Sequence, residues 1–230
     1  MPYLSNDKIF IIIPVYNENA GLLQRIIHDL LENSYSVVLV DDASTEPVSP
    51  GVHERVFHLR HLVNLGQGAA LQTGIEFALS RGADYLVTFD ADGQHAHNDI
   101  PALLQPLKEG EADIAFASRF MEQGHHNATT RRRLLLKLAC RVNYLFTGIK
   151  LTDAHNGLRA LTGKAASKIV LKENRMAHAT EFLFLIKKEG LRLKEVPARV
   201  IYTEYSRSKG QSGFSSIRIV FDLFLHKLFE

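Results

Sequence analysis

The chain has 230 residues, 46% of them hydrophobic and 23% charged, with 27 Lys and Arg against 25 Asp and Glu. These values exclude a disordered, collagen-like or disulfide-stapled chain and suit one large α/β domain with its own core. A lone cysteine, Cys140, forms no intrachain disulfide, the opening MPYLSNDK has no signal-like apolar run, and Ile9 to Val15 is too short to span a bilayer, so an intracellular protein is expected.

Ile9 to Ile13, closed by Pro14, reads as a strand buried on both faces. From Ala20 to Glu32 apolar residues recur at helical spacing, and Val37 to Val40 follows as a second buried strand. Strand, helix and strand within this length make a βαβ unit and imply a parallel sheet. The alternation continues with strands at Val56 to Leu59, Tyr85 to Phe89 and Asp113 to Ala117, and helices at Gly68 to Ser80 and Pro101 to Lys108. After about residue 120 a polar loop, Met121 to Thr130, leads to a helix over Arg131 to Phe146 with a basic start and an apolar stripe. The turn TDAHNG at 152–157 precedes a short element, a helix over Ala179 to Lys188, and an edge strand from Leu193 to Ile201 interrupted by Pro197. A Gly/Ser loop and a final helix, Phe214 to Phe229, complete the chain.

Ligands of open parallel sheets bind beyond the carboxyl ends of the strands. Three polar clusters fall there: PVYNE at 14–18, DDAS at 41–44 and DADGQ at 90–94. Asp90 and Asp92, with Gln94 two residues on, can point oxygens at one hard cation such as Mg2+ or Mn2+, whose remaining ligands are commonly substrate phosphates. In the first cluster Pro14 and Tyr16 suit the flanks of a base and Glu18 a ribose hydroxyl, while Asn17 or Asn19 suits a helix cap. Asp41 and Asp42 fit base or ribose recognition, the alternative being a cap-and-turn carboxylate pair followed by Ser44. Gly66, Gly68 and Gly74 do not keep the GxGxxG spacing, and Gly157 to Lys164 does not keep that of a phosphate loop.

The segments IIIPVYNE, VVLVDDAS, NLGQGAALQTG, DYLVTFDADGQH, IAFASRF and TDAHNGLRAL, in this order, resemble the family 2 glycosyltransferases of the GT-A fold, within them the dolichyl-phosphate mannose synthase and bacterial polyprenyl-phosphate branch. The resemblance implies a Rossmann-like, mostly parallel sheet flanked by helices. It implies a GT-A domain over 1–213, with a nucleotide-binding half at about 8–118 and an acceptor half at about 119–213, followed by an amphipathic helix over 214–230. By position, Pro14, Tyr16, Glu18, Val40 and Asp42 match residues that hold the nucleoside. Asp90, Ala91 and Asp92 match the diphosphate and metal segment, with Asp92 and Gln94 as metal ligands and Asp90 beside them. Arg119 matches an arginine near the sugar and the acceptor phosphate, and Arg207 one in a late loop that closes over the donor. That loop departs from the family's GxSK ending, since Gly213 stands where lysine would be, and Lys209 is the candidate substitute. Asp153 matches an acid facing the reaction centre. Glu181 lies where hydroxyl-acceptor relatives place a base, and an ion-pair role fits it equally.

Charge along the chain bears on the acceptor. Between residues 119 and 141 stand Arg119, Arg131, Arg132, Arg133, Lys137 and Arg141 against one acid, Glu122. Arginine forks suit phosphate oxygens, so Arg119, Arg131 and Arg132 are the expected acceptor-phosphate residues. The expected reaction is therefore inverting transfer of a sugar, from a nucleotide donor such as a UDP-sugar, to a polyprenyl phosphate at the cytoplasmic membrane face, with Mg2+ or Mn2+ as cofactor. A saccharide hydroxyl as acceptor, and a non-catalytic nucleotide-sugar-binding protein, remain the alternatives. The partners expected are a membrane surface or a small membrane-anchoring protein, with a homo-oligomer possible and no nucleic acid.

Overall fold

The computed structural model describes residues 7–202 except 123, 128, 155, 175 and 176, and describes 125, 126, 131, 132 and 135 by backbone alone. Arg207, Lys209 and the helix expected over 214–230 lie outside the described residues, as do the side chains of Arg131 and Arg132.

Strands β1 (Ile9–Val15), β2 (Ser36–Asp41), β3 (Val56–Arg60) and β4 (Tyr85–Thr88) alternate with helices α1 (Ala20–Glu32) and α2 (Gln67–Ser80). After a 3-10 turn at His97–Asp99 come α3 (Ile100–Lys108), β5 (Ile114–Ser118), the short β6 (His125–His126) and the long α4 (Thr130–Thr147). The chain continues through β7 (Arg159–Thr162), α5 (Gly163–Ala166), α6 (His178–Lys188), β8 (Leu193–Pro197) and β9 (Arg199–Val200). Seven strands form one sheet in the order β3-β2-β1-β4-β7-β5-β8, and β6 pairs with β9 separately. All neighbours in the large sheet are parallel except at β7, which runs antiparallel between β4 and β5.

The continuous apolar runs make both faces of the sheet core, as a parallel sheet covered by helices requires. Ile11, Ile13, Val37 and Leu39 face Leu23, Ile27 and Leu30 of α1 and Leu103 and Leu104 of α3. Phe10, Ile12, Val38 and Phe116 face Ala70, Leu71 and Ile75 of α2 and Phe182, Leu183 and Ile186 of α6. Each fully buried Ile or Leu contributes about 1.5–3 kcal/mol of hydrophobic stabilisation. Asn19 caps α1 by accepting from the Leu22 N–H at 2.9 Å, one of the two caps the sequence offered. The interruption expected at Pro197 is real: β8 ends there at the sheet edge, and β9 departs to pair with β6. No helix among the described residues is long and apolar enough to cross a membrane.

Candidate active site

The loops after β1, β2 and β4 share one edge of the sheet, as the polar clusters imply. The first two are tied together: the Asn17 N–H donates to Ser44 Oγ at 2.9 Å, and the Thr45 N–H donates to Asn17 Oδ1 at 2.8 Å. Asn17 holds φ 51°, a left-handed conformation that asparagine tolerates better than most residues. This leaves Tyr16 46% exposed and Glu18 half-buried at the rim.

Asp41 and Asp42 are buried and act as turn anchors. Asp41 accepts from the Ser44 N–H at 2.8 Å and from the Arg60 guanidinium at 3.0 Å. Asp42 accepts from the N–H groups of Leu65 at 2.9 Å and Gly66 at 2.6 Å, and meets His61 Nδ1 at 2.8 Å. It thereby fixes the turn that launches α2. Val40 and Ala91, both matched to nucleotide-binding positions, have their side chains in the core, so any contact they make with a ligand is through the backbone.

Asp90 and Asp92 lie just past the end of β4. Gln67, the first residue of α2, donates through Nε2 to Asp90 Oδ1 at 3.0 Å, and His95 Nε2 lies 3.5 Å from Asp90 Oδ2. Burial works to raise the Asp90 pKa, but the hydrogen bond and charge of His95 and the charges of Arg159 and His178 outweigh it, leaving the carboxyl below its usual range. Asp92 moves the opposite way: burial and the charge of Asp90 push it up. Its oxygens accept from the Gln94 N–H at 3.0 Å and from the Gln94 side-chain amide. A carboxylate kept ionised, beside a second one whose ionisation it opposes and a side-chain amide, is a donor set that a hard divalent cation fits. Gly157 closes the floor, because a Cβ there would lie 2.0 Å from Asp90 Oδ2.

The second half of the site is built on β5 and the 152–157 turn. Arg119, just past β5, is buried together with Asp153. The Arg119 Nε donates to Asp153 Oδ2 at 2.5 Å, its backbone N–H reaches the same oxygen at 3.2 Å, and its guanidinium also bonds the Tyr202 hydroxyl. Burial pulls the Arg119 pKa down, yet the charge of Asp153 leads the effects that lift it above the usual arginine value. Glu195 of β8 secures the turn, accepting from the backbone N–H groups of Thr152 at 2.9 Å and Asp153 at 3.0 Å. From α4, Cys140 Sγ accepts from the Ala154 N–H at 3.4 Å, and burial pushes the thiol pKa up to about 11. Asp153 Oδ1 is buried with no hydrogen-bond partner among the described residues.

Glu181 is also buried, on α6. Its carboxylate accepts from the N–H of Lys172 at 3.0 Å and of Glu173 at 2.9 Å. The loop it holds docks on the start of α2, where the Gly68 N–H donates to Asn174 O at 2.8 Å. A Cβ on Gly68 would fall 1.9 Å from Glu173 O. Considered as a base or an ion-pair carboxylate, Glu181 has backbone N–H groups as its hydrogen-bond partners, and it anchors the loop that they belong to.

Sequence reasoning missed Gln67, His95, Tyr202 and Arg159. Only Arg159 had a signal, a cation inside the apolar run LRAL; the others depend on which loops meet.

A match to the glycosyl transferase family 2 model covers residues 10–170. An uncharacterized protein of Methanocaldococcus jannaschii is 37% identical over 98% of this chain and 95% of its own. The UDP-N-acetylglucosamine--dolichyl-phosphate N-acetylglucosaminyltransferase of Methanococcus voltae is 30% identical over 98% of both chains. The undecaprenyl-phosphate mannosyltransferase of Micrococcus luteus is 28% identical over 93% of this chain and 91% of its own. Among solved structures, glucosyl-3-phosphoglycerate synthase of Mycobacterium tuberculosis, in complex with Mn2+, uridine diphosphate and phosphoglyceric acid, matches with TM-score 0.69 at 16% identity. It covers 94% of this chain and 78% of that one, and it supports the fold alone. With its strand-end carboxylates, GT-A architecture and family match over most of its length, the chain belongs to glycosyl transferase family 2.

Proposed function

We propose that the protein is an inverting glycosyltransferase that moves a sugar from a nucleotide-sugar, a UDP-sugar foremost, to a polyprenyl phosphate at the cytoplasmic face of a membrane. Relatives named for dolichyl and undecaprenyl phosphate support the acceptor class. The observation that carries the choice is the state of the two candidate bases. Asp153 is ion-paired with Arg119, and Glu181 is spent on backbone N–H groups. A hydroxyl acceptor needs a carboxylate to take its proton, whereas a phosphate is already an anion at neutral pH.

The reaction forms a bond from an acceptor phosphate oxygen to the anomeric carbon and breaks the bond to the nucleoside diphosphate, inverting that carbon. Asp90 and Asp92, with Gln94, are the residues that would hold Mg2+ or Mn2+, which when bound offsets charge growing on the leaving diphosphate. Arg119, held by Asp153 and Tyr202, presents a fixed cation to the acceptor phosphate, so little reorganisation is left to the reaction itself. Tyr16 and Glu18 stand at the rim to meet the nucleoside.

The outer face of α4 supports a membrane surface as the place of work. Arg133, Lys137 and Arg141 recur every fourth residue and are exposed, and beside them Leu134, Leu138 and Leu145 are 70%, 45% and 78% exposed. No Asp or Glu occurs from residue 123 to 150. Such a face suits anionic headgroups with shallow apolar insertion. One observation favours the alternative of a saccharide hydroxyl acceptor: the unpartnered Asp153 Oδ1.

The test is a panel of nucleotide-sugars with Mn2+ and undecaprenyl phosphate in detergent. A glycolipid cleaved by mild acid is the expected product. An acid-stable product extended at a sugar hydroxyl overturns the proposal in favour of the alternative.

A further inference from the structure

The 152–157 turn is followed by a charged residue in the interior of the sheet. Arg159 opens β7, in register with Thr88 of β4 on one side and Phe116 of β5 on the other. It is 3% exposed. Its guanidinium carbon lies 4.6 Å from the ring centroid of Phe116 and 5.0 Å from that of Phe182, so two aromatic side chains hold the group in place. Its Nε donates to Asn156 O at 3.0 Å. A buried arginine is costly to keep charged, and burial draws this one down to about 10 against the opposing charges of Asp90 and Asp153.

The residues on either side of that Asn156 contact lead to both halves of the site. Asn156 Nδ2 reaches Asp153 Oδ2 at 3.4 Å, the oxygen that also holds Arg119. The adjoining Gly157 is pressed against Asp90, and its carbonyl accepts from Thr88 Oγ1 at 2.6 Å. The one cation therefore sits behind the donor-side carboxylate and the acceptor-side carboxylate together, and it fixes the backbone that separates them.

We propose that Arg159 is a positioning residue that sets the donor and acceptor halves of the site at once, through its hold on the 156–157 backbone and its charge behind Asp90 and Asp153. The inference rests on the reading of the site as one for a metal-bound nucleoside diphosphate. It differs from the roles of Asp92 and Arg119, each of which serves one side. A positive charge behind Asp90 also offsets a carboxylate that would otherwise repel a diphosphate, so its removal weakens donor binding even with no acceptor present.

The test uses the full chain and its variants Arg159→Met and Arg159→Lys, with Mn2+ plus UDP as the probe in calorimetry and a melting temperature for each protein. Arg159→Met is expected to weaken Mn2+–UDP binding about tenfold, the range found when a residue supporting a metal site is lost. It is also expected to raise the acceptor KM, while Arg159→Lys, which keeps the charge, regains most of the UDP affinity. Loss of side-chain packing alone would lower the melting temperature of both variants and leave the affinity of the folded fraction unchanged. Wild-type affinity in Arg159→Met, or equal impairment of the two variants, overturns the proposal. If the wild type itself does not bind Mn2+–UDP, the proposed function falls and this inference with it. If it binds but glycosylates a hydroxyl, only the acceptor assignment falls and the binding comparison still decides the role of Arg159.

Discussion

Asp153 carries the clearest question at the level of single residues. If it anchors Arg119, Asp153→Asn releases the guanidinium, and the acceptor KM should rise on the order of 10- to 100-fold with the shape of the pH–rate profile retained. If it takes a proton, kcat falls instead and the limb of the profile belonging to that carboxylate disappears. Asp92 gives a sign for pH. Because its pKa is raised, protons compete for its oxygens above the ordinary carboxylate range, so Mn2+–UDP affinity should decline on acidification before a normal aspartate would titrate. A calorimetric pH series measures this. Cys140 should resist iodoacetamide in the native protein and react fully in urea, since its thiol is buried and its pKa stands at about 11. Some of these positions were legible in the sequence. An Asp-x-Asp at the end of a buried strand is readable because strand ends converge, and so is a late Asp in a polar turn. What Asp153 touches was not, because the bond to Arg119 spans 34 positions and is set by β7 entering the sheet beside β5.

Among the elements, two turns show how closely backbone approaches the site. Gly157→Ala places a Cβ against the Asp90 carboxylate, which must move, so the variant should fold yet lose Mn2+–UDP binding by more than tenfold. Glu181→Ala leaves the N–H groups of Lys172 and Glu173 without their acceptor and frees the loop that abuts α2. A loss of stability on the order of 3 kcal/mol in urea unfolding is expected, with kcat per folded molecule far less affected. Strands β1 to β5 and helices α1 to α4 and α6 were legible from periodicity, within two residues at their ends, whereas β6 falls inside the expected loop at 121–130 and β7 and α5 lie where only a short element was expected. The role of Glu181 was not, since nothing local says that a helix carboxylate will meet the loop preceding its own helix, and the family position suggested chemistry in its place.

For the whole molecule, the outer face of α4 predicts binding to anionic liposomes that fades with salt. Replacing Arg133, Lys137 and Arg141 by Gln should abolish sedimentation with the vesicles while leaving the melting temperature within a few degrees. The sheet order has a different consequence, which concerns how the chain comes to be folded. Strands β4 and β5 do not pair with each other; both are bonded to β7, about 70 and 40 residues further along. A ribosome that has released everything through β5 has therefore released a sheet with a gap in its middle. The open edges stay unsatisfied until residues 159–162 arrive, and the late strand that closes the gap is the one that brings Arg159 to the site.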